Sequence, residues 1–347
     1  MVAAVLTAAT WGSKPGTIVL VVAGVFLAAA VMAAVHHAEV VAHRAGEPFG
    51  TLVLALAVTV IEVALIVSMM LAGGDDKATL PRDTIHAAVM IICTGVVGLC
   101  LLVGGLRHHE QSFRLEGANS ALAALVAMSG LTLVLPSFTT TSEGGTYTLS
   151  QLVFVAIASL ALWAIFVFIQ TVRHRDYFLP PADGTAADDA HAEPPSRGQA
   201  WASFGLLVVS LVSVVGLAKQ LSPSIEAAVA AAGAPKTVIG IAIALLVLLP
   251  ETWAAVRAAR ADRLQTSMNL ALGSALASIG LTIPAVVVAS LLLGLPLELG
   301  LAPKDLVLLV ITWLVGAITL GTGRTNLMQG AIHLVLFAAF LFLALVP

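Results

Sequence analysis

Charged residues are scarce in this sequence. Lys, Arg, Asp and Glu make up 10% of its 347 residues and hydrophobic residues 59%, whereas a soluble domain carries about 25% charged residues. More than half of the accessible surface of a folded soluble protein is already apolar, so a protein of this size could not hide such an excess. The composition therefore excludes a soluble enzyme, and its apolar content excludes a disordered chain.

Other features are also absent. The two cysteines exclude a disulfide scaffold, and no Cys and His spacing is typical of a zinc site. Neither a Walker A motif nor a Rossmann motif is present. A net charge of −3 gives no reason to expect nucleic acid as a partner. These absences predict a protein that is not an enzyme and carries no cofactor.

Long apolar runs are the main feature that is present. A membrane-spanning helix needs about 20 apolar residues, and ten such spans are predicted. They are Thr17–Val40, Pro48–Ala72, Thr84–Leu106, Asn119–Phe138, Leu149–Val172, Trp201–Ala218, Thr237–Val256, Met268–Leu293, Asp305–Leu320 and Asn326–Val346. The predicted fold is an all-α polytopic membrane protein. Its partners would be the lipid bilayer and small ions, and the sequence leaves the oligomeric state open.

One long, mildly acidic connection divides the spans into two sets of five. The sequence predicts a first repeat at residues 1–173, a flexible linker at 174–200 and a second repeat at 201–347. An odd number of spans inserts the halves with opposite orientations, as in inverted-repeat transporters. Matching features recur in order: an acid on the second span of each half, small residues on the third, and a Gln near the start of the fifth.

The distribution of Lys and Arg predicts the orientation. The loops after even-numbered spans and the termini form side one, with six basic residues; the loops after odd-numbered spans form side two, with ten. Cytoplasmic loops carry the excess of Lys and Arg. Side two, including the linker, is therefore predicted to be cytoplasmic, and both termini periplasmic or extracellular, in a bacterial inner membrane.

Two carboxylates lie deep inside predicted spans, Glu62 in span 2 and Glu251 in span 7. An ionisable group in the middle of a membrane costs about 2.5–3.5 kcal/mol or more and indicates function by default. No Lys or Arg lies in a span core to pair with either acid. The alternative is that Glu251 is interfacial, because Arg257 follows closely. The pair is predicted to bind a cation and protons in turn.

Further oxygen ligands are available around these acids. Pro250 has no N–H, so it leaves the Leu246 carbonyl without its helical partner; either this carbonyl faces the cation or Pro250 is only a packing kink. Thr59 lies on the helix face of Glu62 and either contributes its hydroxyl or bonds its own backbone. The other candidates for ligands or cavity residues are Ser274, Ser278 and Asn269.

A polar group ends span 1. It consists of His36, His37, Glu39, His43 and Glu47. It is interpreted as an interfacial helix end, with a proton-collecting group at the cytoplasmic mouth as the alternative.

Several of these segments together resemble bacterial calcium/proton antiporters of the cation/calcium exchanger superfamily. They are residues 42–51 (AHRAGEPFGT), 58–63 (VTVIEV), 168–171 (FIQT), 249–251 (LPE), 268–274 (MNLALGS) and 321–326 (GTGRTN). The resemblance covers nearly the whole chain. It implies two inverted five-helix halves and one cation-binding Glu in each, which carries over to Glu62 and Glu251.

The resemblance also implies an activity, secondary exchange of Ca²⁺ for H⁺ by alternating access. Many relatives carry Gly-Asn-Ala before each Glu, whereas this chain has Val58-Thr-Val60 and Val247-Leu-Leu249. Side-chain amide ligands are thus missing, and Na⁺ and K⁺ remain open as transported ions. The alternatives from other classes are a sodium/calcium exchanger and a non-exchanging channel or membrane scaffold.

The orientation can be tested by labelling. A single cysteine in place of Ser142 is expected to react with an impermeant thiol reagent in intact cells, and one in place of Ala186 is not. The native Cys93 and Cys100 are predicted to be buried in span 3 and to label poorly. The opposite pattern would reverse the orientation, and labelling of both positions from outside would contradict the inverted repeat.

Overall fold

Ten helices long and apolar enough to cross a membrane occur in the part of the chain that the structure describes. The structure is a computed structural model, and it describes residue 3 and residues 17–46, 49–73, 77–142, 144–179 and 195–346. Each helix matches one predicted span, so the predicted all-α membrane architecture is confirmed. Most of the predicted linker, residues 180–194, lies outside the described residues, as do Glu47 and Pro48.

The helices are numbered α1 to α10 in chain order. They are α1 Thr17–Ala45, α2 Phe49–Gly73, α3 Leu80–His108, α4 Leu115–Phe138, α5 Leu149–Arg173, α6 Arg197–Ala231, α7 Thr237–Arg260, α8 Leu264–Leu293, α9 Pro303–Leu320 and α10 Leu327–Leu345. Wider π-helical turns occur in α3 at Ile91–Val96, in α4 at Gly130–Val134 and in α5 at Ile169–Arg173, and 3₁₀ turns occur at Leu135–Phe138 and Arg175–Phe178. Two short strands, β1 Glu110–Ser112 and β2 Arg324–Asn326, pair antiparallel.

Helix α6 is longer than its sequence predicts. The predicted span ends at Ala218, before Lys219 and the Ser-Pro pair, but the helix continues through Pro223 to Ala231. Proline removes one backbone hydrogen bond without ending the helix when neighbouring groups support it, as membrane helices often show. Here Glu226, beyond the proline, forms an ion pair with Lys77 that holds this end of α6 in place.

The interruption in the bundle lies in α8 and not at Pro250. Helix α7 runs unbroken from Thr237 to Arg260 with Pro250 inside it. Helix α8, in contrast, consists of Leu264–Gly280 and Thr282–Leu293. Pro284 lacks the N–H that would bond the Gly280 carbonyl, which accounts for a break at this point.

Contacts between the connecting segments fall into two separate sets. On side two, Gln111 donates to Asp262 Oδ1 at 2.7 Å, which joins the connections after α3 and α7. On side one, Arg82 contacts Glu298 at 2.5 Å, which joins the first turn of α3 to the connection after α8. Each pair joins segments predicted to share a side, so the alternation of ten crossings agrees with the structure.

The two halves interleave. Helices α3 and α8 are the most buried of the ten, and α3 packs against α7 and α10 of the other half. Helices α1 and α6 pack along each other at the flank, next to α2. The β1–β2 pair joins the halves on side two, with Glu110 opposite Asn326.

Close packing between α3 and α10 depends on glycine. A Cβ on Gly98 would lie 2.8 Å from the His333 Cβ, and a Cβ on Gly330 would collide with the backbone of Leu102. His333 is buried between them, where its Nδ1 donates to the Cys93 carbonyl at 2.7 Å and its Nε2 lies 3.1 Å from the Thr319 hydroxyl. Both cysteines of the chain are free and buried, as predicted.

This packing predicts a selective loss of stability. Gly330→Ala is expected to destabilise the protein by about 1–3 kcal/mol, because backbone on the facing helix cannot move aside as a flexible side chain could. Gly205→Ala on α6 is the matched control, since nothing lies within 4 Å of the added methyl group. Thermal unfolding in detergent measures both. Equal melting temperatures for the two variants would contradict the close approach of α3 and α10.

Candidate cation site

Glu62 on α2 is sealed inside the bundle. Only 2% of its surface is exposed. The Thr282 hydroxyl donates to Glu62 Oε2 at 2.7 Å, and the Ser278 hydroxyl lies beside the same carboxylate. Thr282 begins the second part of α8, so the interruption at Leu281 brings this hydroxyl to the acid. The hydrogen bond fixes the orientation of the carboxylate.

Glu251 on α7 lies on the wall of a cavity. Its Oε2 atom is buried and has no hydrogen-bond partner among the described residues. The charges of Glu39 and Glu62 both act on this carboxylate. The structure thus brings together one acid from each half of the chain, the first held by a hydroxyl and the second facing an open space.

The cavity measures about 530 Å³ and opens on side two. It is lined by Glu39, Ala42, His43, Gly46, Gly50, Leu54, Ala55, Val58, Trp163, Phe166, Val167, Gln170, Glu251, Thr266, Asn269, Leu270, Gly273, Ser274 and Ala277. Its mouth consists of the side-two ends of α1, α2, α5 and α8. Glu62 is not among the lining residues, so it lies behind the cavity wall.

The structure places the predicted supporting residues at different distances from the cavity and from Glu62. Ser274 and Asn269 line the cavity, and Ser278 lies next to Glu62. Thr59 is buried, but its hydroxyl donates to the Ala55 carbonyl at 2.8 Å, which is the bond to its own helix. Leu246 and Pro250 are not among the lining residues.

Asn269 is held firmly in the cavity wall. Its Nδ2 donates to the Phe178 carbonyl at 2.6 Å, and its Oδ1 accepts from Gln265 Nε2 at 2.9 Å. Both functions of the amide are therefore occupied. This side chain shapes the mouth of the cavity and has one remaining lone pair for a passing ion.

Sequence reasoning missed other residues of the site. Thr282 carries no motif, and the only signal for it was Pro284, which frees a carbonyl close by. The aromatic walls Trp163 and Phe166 belong to an ordinary apolar run. Glu39 lines the cavity instead of ending a helix at the membrane surface, and the sequence had indicated that surface position.

Among the described residues, no basic group forms an ion pair with either acid. The ion pairs in that part of the chain lie elsewhere and involve neither Glu62 nor Glu251. No group of three or more His, Cys, Asp or Glu residues among the described residues is arranged to hold a metal.

A helical bundle with one buried acid from each of two inverted halves is the architecture of a secondary transporter. The chain belongs to the sodium/calcium exchanger protein family, which matches residues 15–172 and 202–346. The resemblance to this superfamily is thereby confirmed.

Individual relatives agree with this assignment. A putative ionic transporter of Sinorhizobium fredii, y4hA, is 48% identical over 346 residues, which cover 100% of this chain and 94% of that protein. The sodium-potassium/proton antiporter ChaA of Escherichia coli is 36% identical, over 95% of this chain and 91% of that protein.

The fold of this chain also agrees with that of a solved antiporter structure. The crystal structure of a selenium-substituted Ca²⁺/H⁺ antiporter protein, YfkE, superposes with a TM-score of 0.75 at 16% identity and covers 99% of this chain and 96% of that one. The inverted five-helix architecture of this family is therefore the fold of the present chain.

Proposed function

We propose that the protein is a secondary active cation/proton antiporter of the bacterial inner membrane that exports Ca²⁺ in exchange for H⁺. The observation that carries this proposal is the pair Glu62 and Glu251, two acids inside membrane-spanning helices that form no ion pair among the described residues, of which Glu251 lines a cavity open on side two. The relatedness to a protein named as a sodium-potassium/proton antiporter supports exchange against protons.

Exchange follows from the charge of the site. Two carboxylates in a low-dielectric interior do not both remain ionised without a compensating charge. Either a cation or protons supply that charge, so each displaces the other from the same oxygen atoms. Coupling requires that the empty, charged site does not reorient across the membrane, because crossing uncompensated would carry the full cost of a buried charge.

The number of charges favours a divalent cation. One Ca²⁺ balances both carboxylates, whereas Na⁺ or K⁺ balances one and leaves a proton on the other. Ca²⁺ prefers carboxylate, hydroxyl and carbonyl oxygens, and Glu62, Glu251, Thr282 and Ser278 provide the first two kinds. Sodium/calcium exchange would call for a richer set of ligands than these.

The structure corresponds to the state open to side two. The excess of Arg and Lys on side two supports a cytoplasmic location for the cavity mouth. On side one, Lys77 is buried and its Nζ lies 3.1 Å from Glu226 Oε1, which ties α6 to the connection between α2 and α3. Alternating access then requires this ion pair to separate.

The first prediction concerns the two acids. Glu62→Gln and Glu251→Gln are each expected to lower Ca²⁺-dependent proton movement in everted vesicles at least tenfold, about 1.4 kcal/mol of barrier, because an amide cannot exchange a proton for a cation. Glu116→Gln is the control, since Glu116 is exposed on side two and does not line the cavity. More than a tenth of the activity in either variant would remove that residue from the site.

The same assay tests the choice of cation. Ca²⁺, Na⁺ and K⁺ are added separately to wild-type proteoliposomes with an imposed pH gradient. Ca²⁺ is expected to dissipate the gradient without Na⁺. A response to Na⁺ or K⁺ alone would favour monovalent exchange, a Ca²⁺ flux that needs Na⁺ would favour a sodium/calcium exchanger, and ion flux without proton movement would favour a channel.

The second prediction concerns the ion pair on side one. The inverted repeat relates α1, α2, α5, α7 and α8, which surround the open cavity, to α6, α7, α10, α2 and α3. A mouth on side one would therefore form beside α6, where Lys77 meets Glu226. Cross-linking cysteines at these two positions is expected to stop exchange, and reduction of the cross-link to restore it.

A cross-link between cysteines at Arg82 and Glu298 serves as the control. That pair joins the first turn of α3 to the connection after α8 and does not involve α6. Its inverted counterpart on side two joins the connections after α7 and α3, where the Gln111–Asp262 contact stays intact while the cavity is open. This cross-link should leave exchange active. Full activity with residues 77 and 226 cross-linked would contradict the proposed opening beside α6.

A further inference from the structure

A third carboxylate shares the cavity with Glu251. Helix α1 contributes three residues to the lining, Glu39, Ala42 and His43, and Gly46 follows directly after the helix. The spacing of three and four residues places Glu39, Ala42 and His43 on one face of the helix. The face that α1 turns toward the cavity is therefore polar at Glu39 and His43 and small at Ala42.

Glu39 lies nearer to the mouth than Glu251. Helix α1 ends on side two at Ala45, six residues after Glu39, and α7 ends on the same side at Arg260, nine residues after Glu251. With a rise of 1.5 Å per residue, the two acids lie about 9 Å and about 13 Å from those ends. An ion that enters from side two passes Glu39 before it reaches Glu251.

The walls of the cavity strengthen the electric field of Glu39 and Glu251. None of the described residues that line the cavity is a Lys or Arg, and much of the wall is apolar, with Leu54, Trp163 and Leu270. A cleft that carries one sign of charge between low-dielectric walls concentrates the field and raises the local density of counter-ions. Glu39 itself is exposed, so an ion beside it keeps its water.

The inverted repeat provides a comparison for Glu39. The acid near the corresponding end of α6 is Glu226, five residues before the end of that helix. On the closed side, Glu226 is neutralised by Lys77 and accepts a hydrogen bond from Ser222 at 2.9 Å. On the open side, no ion pair of Glu39 occurs among the described residues. The acid near this helix end thus forms an ion pair where the path is closed, whereas on the open side Glu39 lies one turn from His36 and forms no ion pair among the described residues.

We propose that Glu39 is a third cation-handling residue, which attracts a hydrated divalent cation into the side-two cavity and passes it to Glu251. This inference rests on the proposed exchange function. Glu39 does not bind the dehydrated ion, so it sets the apparent affinity on one side of the membrane and leaves the maximal rate unchanged. The effect is larger for a divalent than for a monovalent cation, because the Coulomb energy scales with charge.

The test compares Glu39→Gln, Glu39→Asp and Glu39→Lys with Glu116→Gln and wild type in everted and right-side-out vesicles. In the vesicles that present side two to the medium, the KM for Ca²⁺ is expected to rise about three- to tenfold for Glu39→Gln and further for Glu39→Lys. Glu39→Asp should retain most of the affinity. In vesicles of the opposite orientation the KM should not change.

Ionic strength gives a second readout. The difference between Glu39→Gln and wild type is expected to shrink in about 1 M choline chloride, where the screening length falls to about 3 Å. A structural role for Glu39 would not respond to salt in this way.

The outcomes separate the two proposals. Absence of Ca²⁺/H⁺ exchange in wild type contradicts the proposed function itself. If wild type exchanges Ca²⁺ and Glu39→Gln behaves like Glu116→Gln, the role of Glu39 is refuted. Loss of the maximal rate from both sides would also overturn it, because Glu39 would then belong to the dehydrated binding site or to the fold.

Discussion

An acid inside a membrane must have its charge compensated, and most features of this structure follow from that constraint. Glu62 and Glu251 lack a basic partner among the described residues, and in the proposed mechanism a mobile ion supplies the compensating charge. The two carboxylates differ in their surroundings, because Glu62 is sealed and oriented by Thr282, whereas Glu251 lines the cavity and is the one proposed to meet the ion. A fixed Lys or Arg at this place would neutralise the pair permanently and leave nothing to exchange.

The architecture and the central acids could be predicted from the sequence. Ten apolar runs define ten helices because membrane thickness fixes their length, independently of tertiary contacts. Glu62 and Glu251 are conspicuous because each stands alone in an apolar run. The hydrogen-bonded, buried state of His333 also follows from its place in a span.

The remaining features depend on contacts between distant segments. The sequence suggests a break at Pro250, but the helix is interrupted in α8, where Thr282 meets Glu62. The end of α6 depends on Lys77, which is far away in the chain. Glu39 resembles an interfacial residue until α5, α7 and α8 are placed around it. Periodicity and charge spacing describe one helix at a time, so they cannot reveal a wall built from several.

The interleaving of the halves has a consequence for biosynthesis. Helix α3 completes its packing only against α10, the last of these ten helices to be made, and strand β1 pairs with β2 just before it. Until then, the glycine-lined side of α3 and the free edge of β1 have no permanent neighbour. The first five helices therefore enter the bilayer before all of their packing partners are made. A chain that stops before residue 327 lacks the helix that packs against α3.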